Sequence, residues 1–133
     1  MGSGFQTFKT KAFSRFAKRE ALEDPALCEA VRRAREGLID ADLGGGVIKQ
    51  RVARKGGGLS GGFRTIVLYR RGVLAFFVYG FAKSDRANLR RDELATFRLL
   101  SEEYLTLDRK ALEAAQAVGA IIEVTCDDQA IQE

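Results

Sequence analysis

The sequence predicts an α+β domain: an antiparallel mid-chain sheet, N-terminal helices packed on one side of it, and C-terminal helices after it. Three observations carry that expectation. Between Val47 and Gly80, three runs of β-type composition follow one another, separated by a glycine-rich loop and a tight turn. Two stretches with apolar residues at helical spacing precede these runs and two follow them. At 133 residues and 46% hydrophobic composition, the chain suits a single domain, 1–133, with a real core.

In chain order, Phe5 to Thr10 suits a short first strand. Lys11 to Glu20 places Phe13, Phe16 and Ala17 at i, i+3 and i+4, a helical stripe. Asp24-Pro25 offers an N-cap and a proline at the first helical position. Leu27, Ala30, Val31, Ala34 and Leu38 continue that helix, expected to reach Asp40 and stop before Gly44-Gly45-Gly46. In the run from Val47 to Arg54, alternation puts Ile48, Gln50, Val52 and Arg54 on one face and Val47, Lys49, Arg51 and Ala53 on the other. Five glycines in the seven positions from Gly56 to Gly62 suit a wide loop between antiparallel strands. Gly62 to Tyr69 follows as a strand, Arg70-Arg71-Gly72 as a tight turn, and the apolar run Val73 to Gly80 as a strand covered on both faces. After a charged connection, Asp92 is placed to cap a helix through Leu107, with Leu94, Phe97, Leu100 and Tyr104 on one face. Asp108 caps a last helix that Gly119 ends. Ala120 to Cys126 resembles a strand, and Asp127 to Glu133 a frayed tail.

Charge is unevenly distributed. The stretch from Leu43 to Ser84 holds eight Lys or Arg and no Asp or Glu; the whole chain is net +4, so the remainder is net −4. Concentrated positive charge on a sheet with a basic loop attracts a phosphate-rich partner. There is no histidine, which removes Ser-His-Asp triads and the commonest general base, and no metal or cofactor is expected. Cys28 and Cys126 belong to no C-x-x-C pair, and two lone cysteines fit a reducing cytosol; a disulfide between them has no support in the sequence. No apolar run approaches the length of a transmembrane helix, and Met1 to Phe5 lacks a signal-peptide apolar region. A cytoplasmic protein without a membrane partner is expected.

In-line cleavage of RNA needs few special groups. The 2′-hydroxyl attacks the adjacent phosphate, a base takes its proton, cations offset the added phosphate charge, and an acid protonates the leaving 5′-oxygen. Guanidinium forks match phosphate oxygens. A lysine among other cations gives up its proton more readily and can share the base role. Lys49 and Arg51 on one strand, Arg54 and Lys55 at the loop entrance, and Arg64 on the next strand are candidates to converge, with Tyr79 to stack on a base or donate a proton. Any one of these cations alone reads better as a solvated surface charge, whereas the acid-free block as a whole points to an anionic site. Arg64, inside an apolar strand, either pairs with an acid from a helix or opens into a site. The glycine loop lacks the G-x-x-x-x-G-K-[ST] pattern and is no P-loop.

Three blocks in this order carry a resemblance: Gly-Gly-Gly-Val-Ile-Lys49-Gln-Arg51-Val-Ala-Arg54, then Ser-Gly-Gly-Phe-Arg64-Thr-Ile, then Phe-Phe-Val-Tyr79-Gly-Phe-Ala-Lys83-Ser-Asp-Arg86-Ala-Asn-Leu89. They resemble a RelE/HigB-type toxin of a bacterial type II toxin–antitoxin system, in the RelE/ParE superfamily, over residues 5 to 107. The resemblance implies a RelE-like, microbial ribonuclease-like α+β fold and cleavage of messenger RNA on the ribosome. It also implies inhibition of translation and neutralisation by a cognate antitoxin, of helix-turn-helix type. Gly-Phe-Arg64 matches the family's Gly-aromatic-Arg strand, whose Arg contacts the scissile phosphate. Lys49, Arg51, Arg54 and Lys55 fall in its basic strand and loop, and Lys83 and Arg86 in the basic residues after the last long strand. Where many members carry a Tyr or His near the end of the site, this chain has Arg90, leaving Tyr79 or Tyr104 as substitutes. Ser84 stands where some members have a second arginine. Residues 108–133 exceed the pattern as a C-terminal extension without an assigned role.

The resulting expectation is an endoribonuclease, or mRNA interferase. Its phosphate stabilisers are Arg64 and Arg51, its proton-transfer candidates Lys49, Lys55 and Tyr79, and its RNA-holding residues Arg54, Lys83 and Arg86. A ParE-like gyrase poison and a non-catalytic nucleic-acid-binding module are the alternatives.

Overall fold

The computed structural model describes residues 4–54, 56–58 and 61–126. Its elements are β1 (Gln6–Thr10), α1 (Lys11–Arg19), α2 (Asp24–Arg35), β2 (Ala41–Gly44), β3 (Val47–Val52), β4 (Phe63–Arg70), β5 (Leu74–Ala82), α3 (Arg91–Tyr104), α4 (Arg109–Ala117) and β6 (Ile121–Glu123). They form one six-stranded sheet in the order β2-β3-β4-β5-β1-β6. β2 to β5 make an antiparallel meander. β1 adds parallel to β5, and β6 closes the far edge antiparallel to β1. The mixed architecture is α+β, as the sequence implies.

The expected strand alternation sets the two faces. Ile48, Val52, Phe63, Val67, Ala75 and Phe77 face α1 and α2, and pack with Phe13, Leu27, Ala30 and Ala34. Val47, Ile66, Leu68, Phe76 and Phe8 face the other way, under Leu94, Phe97, Leu100 and Tyr104 of α3 and Leu112 of α4. Helices therefore cover both faces, which is why the apolar β5 run is buried almost throughout. Gly80 lets α1 approach: a Cβ there would lie 2.3 Å from the Phe16 ring.

Several boundaries differ from expectation for local reasons. α2 stops at Arg35 because Gly37 takes a left-handed conformation, φ +88°, with Leu38 N–H bonded to the Arg33 carbonyl. That stop leaves room for β2, a short edge strand that helical periodicity hid. Asp24 sits inside the first turn of α2 rather than at its N-cap, where it accepts from Lys9 at 3.3 Å and from the Thr125 N–H at 2.9 Å. Asp92 likewise lies in the first turn of α3, two residues after its N-cap Arg90. Asp108 caps α4 as expected, accepting from Ala111 N–H at 2.8 Å.

The two cysteines are not lone thiols. Cys28 and Cys126 form a disulfide with a Cα–Cα distance of 5.5 Å across 98 residues of sequence. β6 lies beside β1, and Val124 N–H bonds back to the Thr7 carbonyl. This return carries Cys126 onto the first half of α2, a placement that sequence separation alone conceals. Asp127 to Glu133, read as a tail, lies outside the described residues. Among the described residues, no helix is long and apolar enough to cross a membrane.

Candidate nucleic-acid interface

Strand register decides which cations meet. Arg51 of β3 stands directly opposite Arg64 of β4, which in turn stands opposite Phe81 of β5. Two residues along each strand, and so on the same face, Lys49 aligns with Ile66 and Tyr79. Three cations, one tyrosine and one phenylalanine thus share a patch next to the glycine-loop end of the sheet. Facing like charges on neighbouring strands destabilise a sheet.

Arg64 makes that cost concrete. It is half-buried, and its NH1 is enclosed with no hydrogen-bond partner among the described residues. Among the described residues, no helix acid forms an ion pair with Arg64. A buried guanidinium nitrogen without a partner, on a strand residue paired with a second arginine, is an energetic cost that the fold itself does not offset.

Arg51 is held from the sheet edge. Asp40 accepts its backbone N–H at 2.7 Å and its guanidinium at 3.3 Å. Arg33 of α2 reaches the same carboxylate at 3.5 Å and donates to the Arg51 carbonyl. Burial raises the Asp40 carboxyl, but the Arg51 N–H, the Arg51 guanidinium and Arg33 outweigh it and hold the group below the usual carboxylate range. Gln50, on the opposite face, fixes the Asp40 backbone by accepting its N–H at 2.7 Å and donates to the Ala30 and Leu38 carbonyls.

A second network organises the Tyr79 side. Arg86 donates to the Tyr79 hydroxyl at 3.0 Å, to Glu93 of α3, and to the Asn88 carbonyl at 3.2 and 3.1 Å. Lys49 donates to the Asn88 side chain at 3.2 Å. The Tyr79 ring packs between Phe81 and Phe97, at 5.9 and 5.8 Å. The Arg86 hydrogen bond, with the Arg90 N–H, brings the Glu93 carboxyl down to about 2, and Glu93 in turn raises Arg86. Arg86, expected to hold RNA, already spends its donors on protein; its geometry is that of a brace for Tyr79 and Lys49.

The other expected residues are spread more widely. Arg54 lies on the opposite face, its guanidinium 4.7 Å from the Phe63 ring centroid. Lys83 is exposed in the turn after β5. Lys55 lies outside the described residues. Tyr104 stands edge-on against Phe76 at 5.2 Å, about four residues along the sheet from the Arg64 rung. Asp40, Asn88, Glu93 and Arg33 are the residues that sequence reasoning missed. Only Asp40 carried a signal, as an acid shortly before the acid-free stretch. A cavity of about 520 Å³ lies elsewhere, beside the disulfide between α2, β1 and the segment after β6, and includes none of the expected site residues. Among the described residues, no cluster of His, Cys, Asp or Glu forms a metal site.

The family model described as the RelE toxin of the RelE / RelB toxin-antitoxin system matches residues 5–124. That span takes in every strand and helix from β1 to β6, including α4 and β6 beyond residue 107. No curated protein gives a significant match. With nine-tenths of its length matched and a RelE-like α+β sheet, the chain belongs to the RelE toxin family and is the toxin of a toxin–antitoxin pair, with an antitoxin as its partner.

Proposed function

We propose that this toxin is a ribosome-dependent mRNA endoribonuclease that arrests translation in the cytoplasm. The Arg51–Arg64 rung supports the reading most directly: two arginines at paired positions on one face of the sheet, one with a buried nitrogen that has no partner among the described residues, supply positive charge for an in-line phosphate transition state. Arg64 and Arg51 stabilise the phosphate. The substrate 2′-oxygen attacks phosphorus, its proton leaves, and the bond to the 5′-oxygen breaks with protonation of that oxygen. Lys49, Lys55 and Tyr79 are the candidates for the two proton transfers. Phe81 is buried and the Tyr79 ring lies between Phe81 and Phe97, so Tyr79 acts through its hydroxyl rather than by stacking on a base. Arg54 and Lys83 hold the flanking RNA, and Arg86 orients Tyr79. The antitoxin, of helix-turn-helix type, acts by covering this cationic face.

Induction of Arg64→Ala beside wild type tests the reading. Wild type should arrest growth and give cuts in translated messages by primer extension. Arg64→Ala should lower cleavage by about 100-fold or more, the usual consequence of losing one transition-state donor. Equal arrest by both proteins, or a DNA-damage response without cuts, would overturn the assignment.

A further inference from the structure

A second cationic surface lies on the other side of the sheet and is not needed for the chemistry above. The first 19 residues contain five Lys or Arg and no Asp or Glu. Four of these, Lys11, Arg15, Lys18 and Arg19, project from α1, and all four are exposed. Lys11, Arg15 and Lys18 follow the i, i+4, i+7 spacing of one helical face, a stripe about 10 Å long.

The pairing pattern sets this helix apart. On α2, Arg32 pairs with Glu29 and Glu36, and Arg33 with Asp40. At the start of α3, Arg90 pairs with Asp92 and Glu93. Among the described residues, Lys11, Arg15 and Lys18 pair with no acid. Like charges at i, i+3 and i+4 repel, and Lys11 in the first turn opposes the helix dipole. Lys18 and Arg19, in the last turn, suit the dipole, so the cost of the row falls on Lys11 and Arg15, and a row of cations without acids is a surface suited to an anionic partner.

The chemistry of that partner follows from what α1 lacks. Its apolar side is occupied: Phe13 and Ala17 are buried, and Phe16 packs edge-on against Phe63 at 5.6 Å. No apolar stripe is left to enter a lipid surface. Among the described residues of α1 no open ring remains on which an unpaired base could stack, because Phe13 is buried and Phe16 packs against Phe13 and Phe63 with Arg19 5.8 Å from its centroid. A row of cations without stacking groups suits a backbone whose bases are hidden.

We propose that the outer face of α1 docks the phosphate backbone of double-helical RNA, as an anchoring surface separate from the Arg51–Arg64 site. The proposal does not depend on the cleavage reading. It is tested by fluorescence anisotropy of the full chain with a labelled RNA duplex of about 16 base pairs. A single strand of the same length and vesicles containing phosphatidylserine serve as comparison probes. The variant carries Lys11→Gln, Arg15→Gln and Lys18→Gln; a control with the same charge change carries Arg71→Gln, Arg109→Gln and Lys110→Gln. The α1 variant should bind the duplex about tenfold or more weakly, with the slope of log affinity against log salt reduced by about 2 to 3. The control variant should keep duplex binding close to wild type. Circular dichroism should show an unchanged fold, because the α1 substitutions relieve repulsion. Equal losses in both triple variants, or no loss in the α1 variant, overturn the proposal. So do an equal loss on the single strand and tighter wild-type binding to the vesicles than to the duplex. Failure of Arg64→Ala to affect cleavage would bear on the first site and leave this one standing.

Discussion

Asp40 accepts both the backbone N–H of Arg51, at 2.7 Å, and its guanidinium, at 3.3 Å, so one carboxylate fixes the strand and the side chain of the residue that faces Arg64. The same carboxylate meets Arg33, whose Nε is buried without a partner among the described residues, and Asp40 is the acid that offsets its charge there. Asp40→Ala should therefore cost about 2–4 kcal/mol, above a usual surface ion pair, because it strands a half-buried cation and a strand N–H together. Urea unfolding would measure the loss. Asp40→Asn, which keeps an acceptor, should cost less.

Arg64→Met should leave stability unchanged or raise it, by about 1 kcal/mol, while abolishing toxicity. The substitution removes a like charge facing Arg51 and a buried nitrogen without a partner, and it keeps an apolar stem in the strand. A clear fall in melting temperature would show that Arg64 serves the fold rather than an anion.

The Glu93 carboxyl titrates near 2 when folded, well below its unfolded value, chiefly because Arg86 donates to it. A depressed carboxyl contributes stability above its unfolded pKa of about 4.3, and that contribution is lost as pH falls toward the folded value. Asp40 shifts in the same direction. The urea midpoint should drop as pH falls from about 4.3 toward 2, and Glu93→Gln should flatten part of that slope. A wild-type midpoint that does not move across this window would contradict the ion-pair geometry.

Reduction of the Cys28–Cys126 bond should lower stability by about 2–4 kcal/mol, since the bond closes most of the chain into one loop. Thermal melts in dithiothreitol, and of the Cys28→Ser, Cys126→Ser variant, should both fall below that of the oxidised protein and agree with each other. Toxicity of that variant should persist, because the bond lies beside α2 and away from the Arg51–Arg64 rung.

What the sequence by itself determined was local. Period-two alternation put Lys49 and Arg51 on one face of β3, and the Arg70-Arg71-Gly72 turn set the β4–β5 hairpin. Asp108 and Gly119 bounded α4, and the acid-free stretch marked where positive charge collects. These features depend on neighbours a few residues apart, where side-chain direction follows backbone period. Tertiary structure decided the rest, because each remaining feature joins residues distant in sequence. Register across β3 and β4 set Arg51 against Arg64. The turn after β5 brought Arg86 back to Tyr79 and engaged the donors that charge alone had assigned to RNA. The β6 return bonded two cysteines that composition left apart. Asp40, an ordinary acid in the sequence, became the residue that holds the site's edge in place. Periodicity reports which way a side chain points; only packing reports what it meets there.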